Sequence, residues 1–205
     1  MTSSPPVSLR SLRRRDQPAV HRLWADRFGG RPDRIAGWID AALNPQAQTT
    51  GYVAVPSRKG RSPLLVGFGI LEIALRDYTL DYLGGNDLDL DIDVADTNGL
   101  LHMVCVDRDW EGRGIATVLY RRHLRHLREL DVRRAYGISW HRPQREGADS
   151  RVVFEKTGFR AVATVQEFYA RTSPRTDCPD CGGTCHCTGS IYEKSLPEAD
   201  SDWGK

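Results

Sequence analysis

Val104-Cys-Val-Asp-Arg-Asp-Trp-Glu-Gly-Arg-Gly-Ile-Ala-Thr-Val-Leu-Tyr120 is the stretch from which the fold is read. An apolar strand runs up to Val106, and a short polar turn follows. The corner Glu111-Gly112-Arg113-Gly114-Ile115-Ala116 then opens a long helical pattern starting at Arg113. Strand, glycine turn and helix start direct backbone N–H groups and the positive helix end at one spot, which makes a site for phosphate. Gly112 and Gly114 let the backbone approach a ligand with no Cβ in the way. The ligand that suits such a corner is a pyrophosphate.

The helix is expected to run to about Leu130, with Ala116, Leu119, Leu124, Leu127 and Leu130 as its buried stripe. Arg121, Arg122, Arg125 and Arg128 form a basic face that reads mainly as solvated. Upstream, Val7 to Leu12 alternates as a short strand. Asp16 then N-caps a helix with Pro18 in its first turn and Val20, Leu23, Trp24 and Phe28 along one side. Gly29-Gly30 ends that helix. A second helix covers about Pro32 to Leu43, and strands are expected at Gly51–Val55 and Leu64–Leu75 around a polar loop at 56–63. Between 76 and 97, Asp87, Asp89, Asp91 and Asp93 alternate with Leu88, Leu90, Ile92 and Val94. This period of two reads as a half-exposed strand with an acidic face; a cation site or a grip on a basic substrate is the alternative. Downstream the pattern predicts strands at Leu100–Val106, Arg134–Trp140, Phe159–Tyr169 and Ser190–Leu196. A short helix at Asp149–Lys156 is followed by Gly158. Residues 1–6 and 197–205 read as loose tails around one domain at 7–196.

Of the 205 residues 40% are hydrophobic and the net charge is +2, which suits one domain and gives no global drive toward nucleic acid or membrane. No apolar run approaches the roughly 20 residues needed to span a bilayer. The first residues show no basic and apolar leader, so a cytoplasmic location is expected. Four of the five cysteines fall at Cys178, Cys181, Cys185 and Cys187. In a reducing compartment such packing points to metal before disulfides, and four thiolates suit a closed, structural zinc site. His186 offers a substitute ligand. An iron–sulfur cluster, disulfides and free thiols remain as alternatives.

The order strand, two helices, three antiparallel strands, helix, strand, helix, strand, strand resembles the GNAT superfamily of N-acetyltransferases over about residues 7–196. Two motifs carry the resemblance: Glu111-Gly112-Arg113-Gly114-Ile115-Ala116, against the family's Arg/Gln-x-x-Gly-x-Gly/Ala, and Phe154-Glu155-Lys156-Thr157-Gly158-Phe159, against its Tyr-Glu-Lys-x-Gly-Phe. The resemblance implies an α+β, three-layer fold: a mixed, mostly antiparallel seven-stranded sheet, flanked by helices and splayed after the fourth strand. It implies acetyl-CoA as donor, with direct transfer to a small-molecule or protein amine. The backbone of Val104, Cys105 and Val106 would pair with the pantetheine arm. The N–H groups of Gly112, Arg113, Gly114, Ile115, Ala116 and Thr117 would hold the pyrophosphate. A homodimer is an open expectation.

Departures from the pattern fall at the chemical positions. Glu111 replaces Arg or Gln, which is unfavourable beside phosphate unless the carboxylate turns away or pairs with Arg108 or Arg113. Phe154 replaces a Tyr that in many relatives returns a proton to the departing thiolate; Tyr169 and Tyr192 are the substitute phenols. Leu100 matches the position of a strand Glu that serves as base in some relatives. His102, two residues on and on the same face, is the first candidate base, and His141, at the end of the next strand, is the second. Cys105 reads as packing, because no basic neighbour lowers its pKa. A module that binds acyl-CoA without turnover and contacts a partner through the knuckle is the second functional reading.

Overall fold

The computed structural model describes residues 7–29, 33–57, 65–142, 150–172, 176 and 178–197. The tails at 1–6 and 198–205, the loop tip at 58–64, the helix start at Pro32 and residues 143–149 lie outside the described residues. The described chain builds β1 (Val7–Ser11), α1 (Gln17–Phe28), α2 (Asp33–Leu43), β2 (Thr49–Pro56), β3 (Gly67–Leu75), α3 (Arg76–Tyr82) and α4 (Gly85–Leu88). It continues with β4 (Thr97–Val106), α5 (Ile115–Glu129), β5 (Arg134–His141), α6 (Ser150–Lys156), β6 (Arg160–Val165), α7 (Phe168–Thr172) and β7 (Thr188–Ser195). The strands form one sheet in the order β1-β2-β3-β4-β5-β7-β6. Every pairing is antiparallel except β4–β5, as the resemblance implies.

Strand alternation sends side chains into two helical layers. Val53, Phe68, Ile70, Met103 and Cys105 pack against Val20, Leu23, Trp24, Ile35 and Ile39 of α1 and α2. Farther along that face, Ala74, Leu100, Tyr136 and Ile191 meet Leu83, Leu88 and Phe168. On the opposite face Tyr52, Ala54 and Val66 meet Ile115 and Leu119, while Leu71, Leu101 and Tyr192 meet Tyr120, Leu124, Leu127 and Phe154. Each large apolar side chain so buried contributes about 1.5–3 kcal/mol.

Several expectations are corrected. The helix after the glycine corner begins at Ile115 rather than Arg113, and its buried stripe is Ile115, Leu119, Tyr120, His123, Leu124 and Leu127. Ala116 is half-buried, and Leu130 lies past the helix end and is exposed. Asp16 precedes α1, but its carboxylate does not cap it. It accepts instead from Arg10 at 2.6 and 2.8 Å and from the Arg13 N–H at 2.9 Å. The acidic stretch forms no strand: α4 covers Gly85–Leu88, Asp89 is left-handed (φ 51°), and residues 90–95 are irregular. The alternation of burial is nevertheless real, with Leu88 and Val94 buried and Asp87, Asp89, Asp91 and Asp93 exposed. Alternating hydrophobicity therefore recorded a segment laid against the core, not a pairing partner. Tyr169 sits in α7 rather than on a strand, because β6 ends at Val165.

One core residue is a buried histidine. His123 of α5 has no exposure, and neither ring nitrogen has a hydrogen-bond partner within standard geometry. Its ring fills the space above Gly69, where a Cβ would lie 2.6 Å from Nε2. Burial, with help from His126 and Arg122, lowers its pKa to about 3. Below the ordinary value of about 6.5 the unfolded chain binds a proton that the native state refuses. The expected outcome is a contribution fully present above pH 6.5 and lost progressively as pH falls from there toward 3. Denaturant titrations between pH 5 and 7.5 check this, and His123→Leu should flatten that slope.

Candidate functional site

The sheet opens at one place. Pairing of β4 to β5 covers Gly99–Ala135, Leu100–Tyr136 and Leu101–Gly137, although β4 continues to Val106 and β5 to His141. The break coincides with a β-bulge: on the β3 side Leu71 pairs with Leu101 and Ile70 with Met103, so His102 has no partner residue. A bulge bends its strand and ends regular pairing, which aims the rest of β4 away from β5. His102 shows the consequence, since its side chain is wholly buried while the residue as a whole keeps some exposure. The exposed part is main chain. From there to Val106 the β4 backbone has no strand partner on its β5 side among the described residues, an edge that an extended ligand can pair with as a further strand.

That edge runs directly into the glycine corner. Asp107 Oδ1 accepts from Asp109 N at 3.0 Å and starts a short 3-10 turn at Arg108–Trp110. Gly112 (φ 71°) and Gly114 (φ 77°) are both left-handed, and Gly114 is the residue before α5 with no side-chain cap. A Cβ at either position would meet open space, so backbone angle and not crowding selects glycine there. The first N–H groups of α5 have no helix carbonyl to satisfy them and no side-chain cap, and a helix start of this kind suits an anion. The Arg113 side chain turns away, lying 4.9 Å over the Trp110 ring and donating to Asp109 O at 2.9 Å. Glu111 pairs with neither Arg108 nor Arg113. Its carboxylate is held by Arg27 at the end of α1, and Arg108 goes to Asp26 at 3.3 Å. Cys105 is buried, donates to Leu23 O at 3.6 Å, and has its thiol pKa pushed up by burial, all as packing requires.

The two histidine candidates lie on opposite faces of the sheet. His102 lies between Trp38, whose ring is tilted against it at 4.7 Å, and Tyr82, whose ring is perpendicular to it at 5.0 Å, with Nε2 2.5 Å from Glu72 Oε2. Its side chain is sealed, whereas Glu72 keeps 22% exposure. Glu72 on β3 is therefore the group that solvent or a ligand reaches first, and the sequence reading did not single it out. Its signal was faint: one acid inside an otherwise apolar strand. Tyr78, its phenol pKa raised by burial and by the Glu72 charge, borders the same place. His141 shares its face with Ser139, whose Oγ is 2.7 Å from Ser150 Oγ of α6. The structure thus does not bring His102 and His141 together on one proton.

On the α5/α6 face Phe154 is fully buried, stacked 4.8 Å from Tyr192 and edge-on to Tyr120 at 5.0 Å. Tyr192 therefore lies beside the position where relatives carry a phenol, and its hydroxyl is 3.5 Å from Glu155 Oε1. Tyr169 is on the other face, against Trp140 and the cysteines.

The Sγ atoms of Cys178, Cys181, Cys185 and Cys187 all lie within 4.8 Å of one another. Two pairs are 3.9 and 3.7 Å apart, close to the ~3.8 Å edge of a tetrahedron with metal–sulfur bonds of about 2.3 Å. Cys178 and Gly183 form a small antiparallel bridge, with Gly182 left-handed at the reversal. Burial would raise the Cys178 thiol, but the N–H groups of Cys181 and Asp180 point at it and hold its pKa below the ordinary range. His186 does not take the place of a thiol: its Nδ1 is 2.8 Å from Glu167 Oε1, and its backbone N–H donates to Cys181 Sγ. The donor set and spacing fit a closed tetrahedral metal site with no open position.

The pattern of the acetyltransferase (GNAT) family matches residues 4–159. No curated protein matches the sequence. Among solved structures, Arabidopsis thaliana NAA60 in complex with a bisubstrate analogue is similar at 17% identity and a TM-score of 0.67, covering 94% of this chain and 99% of that one. The ribosomal-protein-S18-alanine N-acetyltransferase of Escherichia coli is similar at 15% identity and 0.61, covering 97% and 99%. A spermidine N-acetyltransferase of Vibrio cholerae is similar at 14% identity and 0.58, covering 93% and 94%. At such identities the likeness is one of fold. The family match spans most of the sequence and contains both the open β4 edge and the glycine corner, and on that basis the chain belongs to the GNAT family of acetyltransferases.

Proposed function

We propose that this protein moves the acetyl group of acetyl-CoA directly to a primary amine. The observation that carries the reading is the free β4 edge from His102 to Val106 running into the corner at Gly112–Gly114. In this reading the backbone of Val104, Cys105 and Val106 pairs with the pantetheine arm. The N–H groups from Gly112 through Arg113, Gly114, Ile115 and Ala116 to Thr117 hold the pyrophosphate, and Arg27 neutralises the carboxylate of Glu111 beside it. Acetyl-CoA supplies an activated thioester: the amine nitrogen bonds to the acetyl carbon, the carbon–sulfur bond breaks, the amine proton must be accepted and the thiolate must regain one. Glu72 accepts the amine proton, and His102 positions the carboxylate from its aromatic slot between Trp38 and Tyr82. Tyr192 or water returns a proton to the thiolate, since Phe154 has none to give. The amine enters beside the part-exposed Glu72 carboxylate, whose charge favours an ammonium group before it is deprotonated.

The four cysteines hold structural zinc in this reading, and their thiolates fit a reducing, cytoplasmic compartment. No helix of the described residues is long and apolar enough to cross a membrane. The protein amines and spermidine named for its structural neighbours frame the acceptor panel to be tried.

Three outcomes are expected. Acetyl-CoA with a panel of peptide amino termini and polyamines should release thiol; tight acetyl-CoA binding with no turnover on any amine would favour the binding module instead. Glu72→Gln should lower kcat/KM by about a hundredfold or more, while His141→Ala should leave it within about twofold. Metal analysis of unchelated protein should find about one zinc per chain, and fewer than about 0.3 would remove the four-thiolate site.

A further inference from the structure

We propose that Arg142 and Asp180 are positioning residues for the acetyl donor: they couple the cysteine knuckle to the glycine corner through the end of α1. The proposal rests on the reading of that corner as the acetyl-CoA site. Asp180 lies between Cys178 and Cys181, so the turn that gathers the thiols also fixes its carboxylate. Arg142, the residue after β5, puts its guanidinium 4.3 Å over the Trp140 ring and grips Asp180 with two nitrogens, Nη2 at 3.0 Å. The two side chains are 10% and 6% exposed. The remaining nitrogen, Nη1, donates to Arg27 O at 2.7 Å. That carbonyl belongs to the last turn of α1, where no helix N–H is available and a cation is favoured.

The Arg27 side chain continues the connection to Glu111, the residue before Gly112. Packing follows the same route. Phe28 stacks on Trp140 at 6.2 Å with nearly parallel rings, and a Cβ on Gly29 would lie 2.9 Å from Pro179 of the knuckle. Residues 26–29 thus touch the knuckle on one side and the corner on the other, with Asp26–Arg108 as a second, exposed tie. Glu111 explains why the corner needs the connection. A carboxylate next to a pyrophosphate site repels the ligand unless a cation holds it, and the cation is placed from the knuckle side. A family member with Gln or Arg at this position has no such requirement.

The test measures acetyl-CoA affinity by calorimetry on the zinc-loaded full chain, with zinc content and kcat alongside. Asp180→Asn should retain zinc and raise the Kd about five- to tenfold. The KM for acetyl-CoA should rise by the same factor, with kcat at saturating donor kept within about twofold. In a Glu111→Gln background, where no charge needs holding, Asp180→Asn should change the Kd by less than about twofold. Arg142→Lys, outside the knuckle, carries the same test if Asp180→Asn folds poorly. An unchanged Kd in these variants, or an equal rise in the Glu111→Gln background, overturns the coupling. A wild type that binds no acetyl-CoA at all would instead overturn the functional reading beneath it.

Discussion

The fold turns on one unpaired residue. His102 has no opposite number on β3, and beyond it β4 no longer pairs with β5. A continuous ladder would have satisfied every backbone group and left no place for an extended ligand in the sheet. Among the described residues, the bulge leaves 102–106 without a strand partner along one edge while β3 still holds the other. The cost of that opening is met by packing: Met103 and Cys105 go into the α1/α2 core, Val104 and Val106 against α5. The bulge also sends the His102 ring into a slot between Trp38 and Tyr82, where it fixes Glu72. Backbone opening and the placement of an acid thus have a common local cause.

Electrostatics then connects parts that chain distance separates. Glu111, unfavourable by itself at an anion site, is held by an arginine 84 residues earlier. That arginine's carbonyl accepts from Arg142, which in turn grips the turn between two cysteines. The C-terminal end of α1 works as a bracket between a phosphate corner and a thiol cluster. Both helical layers meet at the corner, because the end of α1 reaches Glu111 just ahead of α5.

Much of this was legible in the residue pattern, and for identifiable reasons. Glycines at 112 and 114 after an apolar strand signal a local structure whose angles only glycine adopts readily, so spacing alone reports it. Cysteines within ten positions report a cluster for the same reason of proximity in sequence. Less legible were 87–93, Tyr169 and the pairing of Glu111. Alternation at 87–93 is a record of burial, and burial has the same period whether or not hydrogen bonds join the segment to a sheet. Tyr169 follows a left-handed Glu167 that ends the extended run, and nothing in residue type marks that reversal. Glu72 was missed because a lone acid in a strand becomes meaningful only with the partner across the ladder.

By itself the sequence determined the order of the elements, the strand–glycine–helix corner and the set of thiols, since each depends on residues adjacent in the chain and on steric or hydrophobic periodicity. Only the tertiary structure decided that His102 is sealed behind Glu72, that His141 faces the other side of the sheet, and that Arg27 restrains the charge of Glu111. Those outcomes depend on strand register and on which helix end meets which loop, and long-range packing sets both.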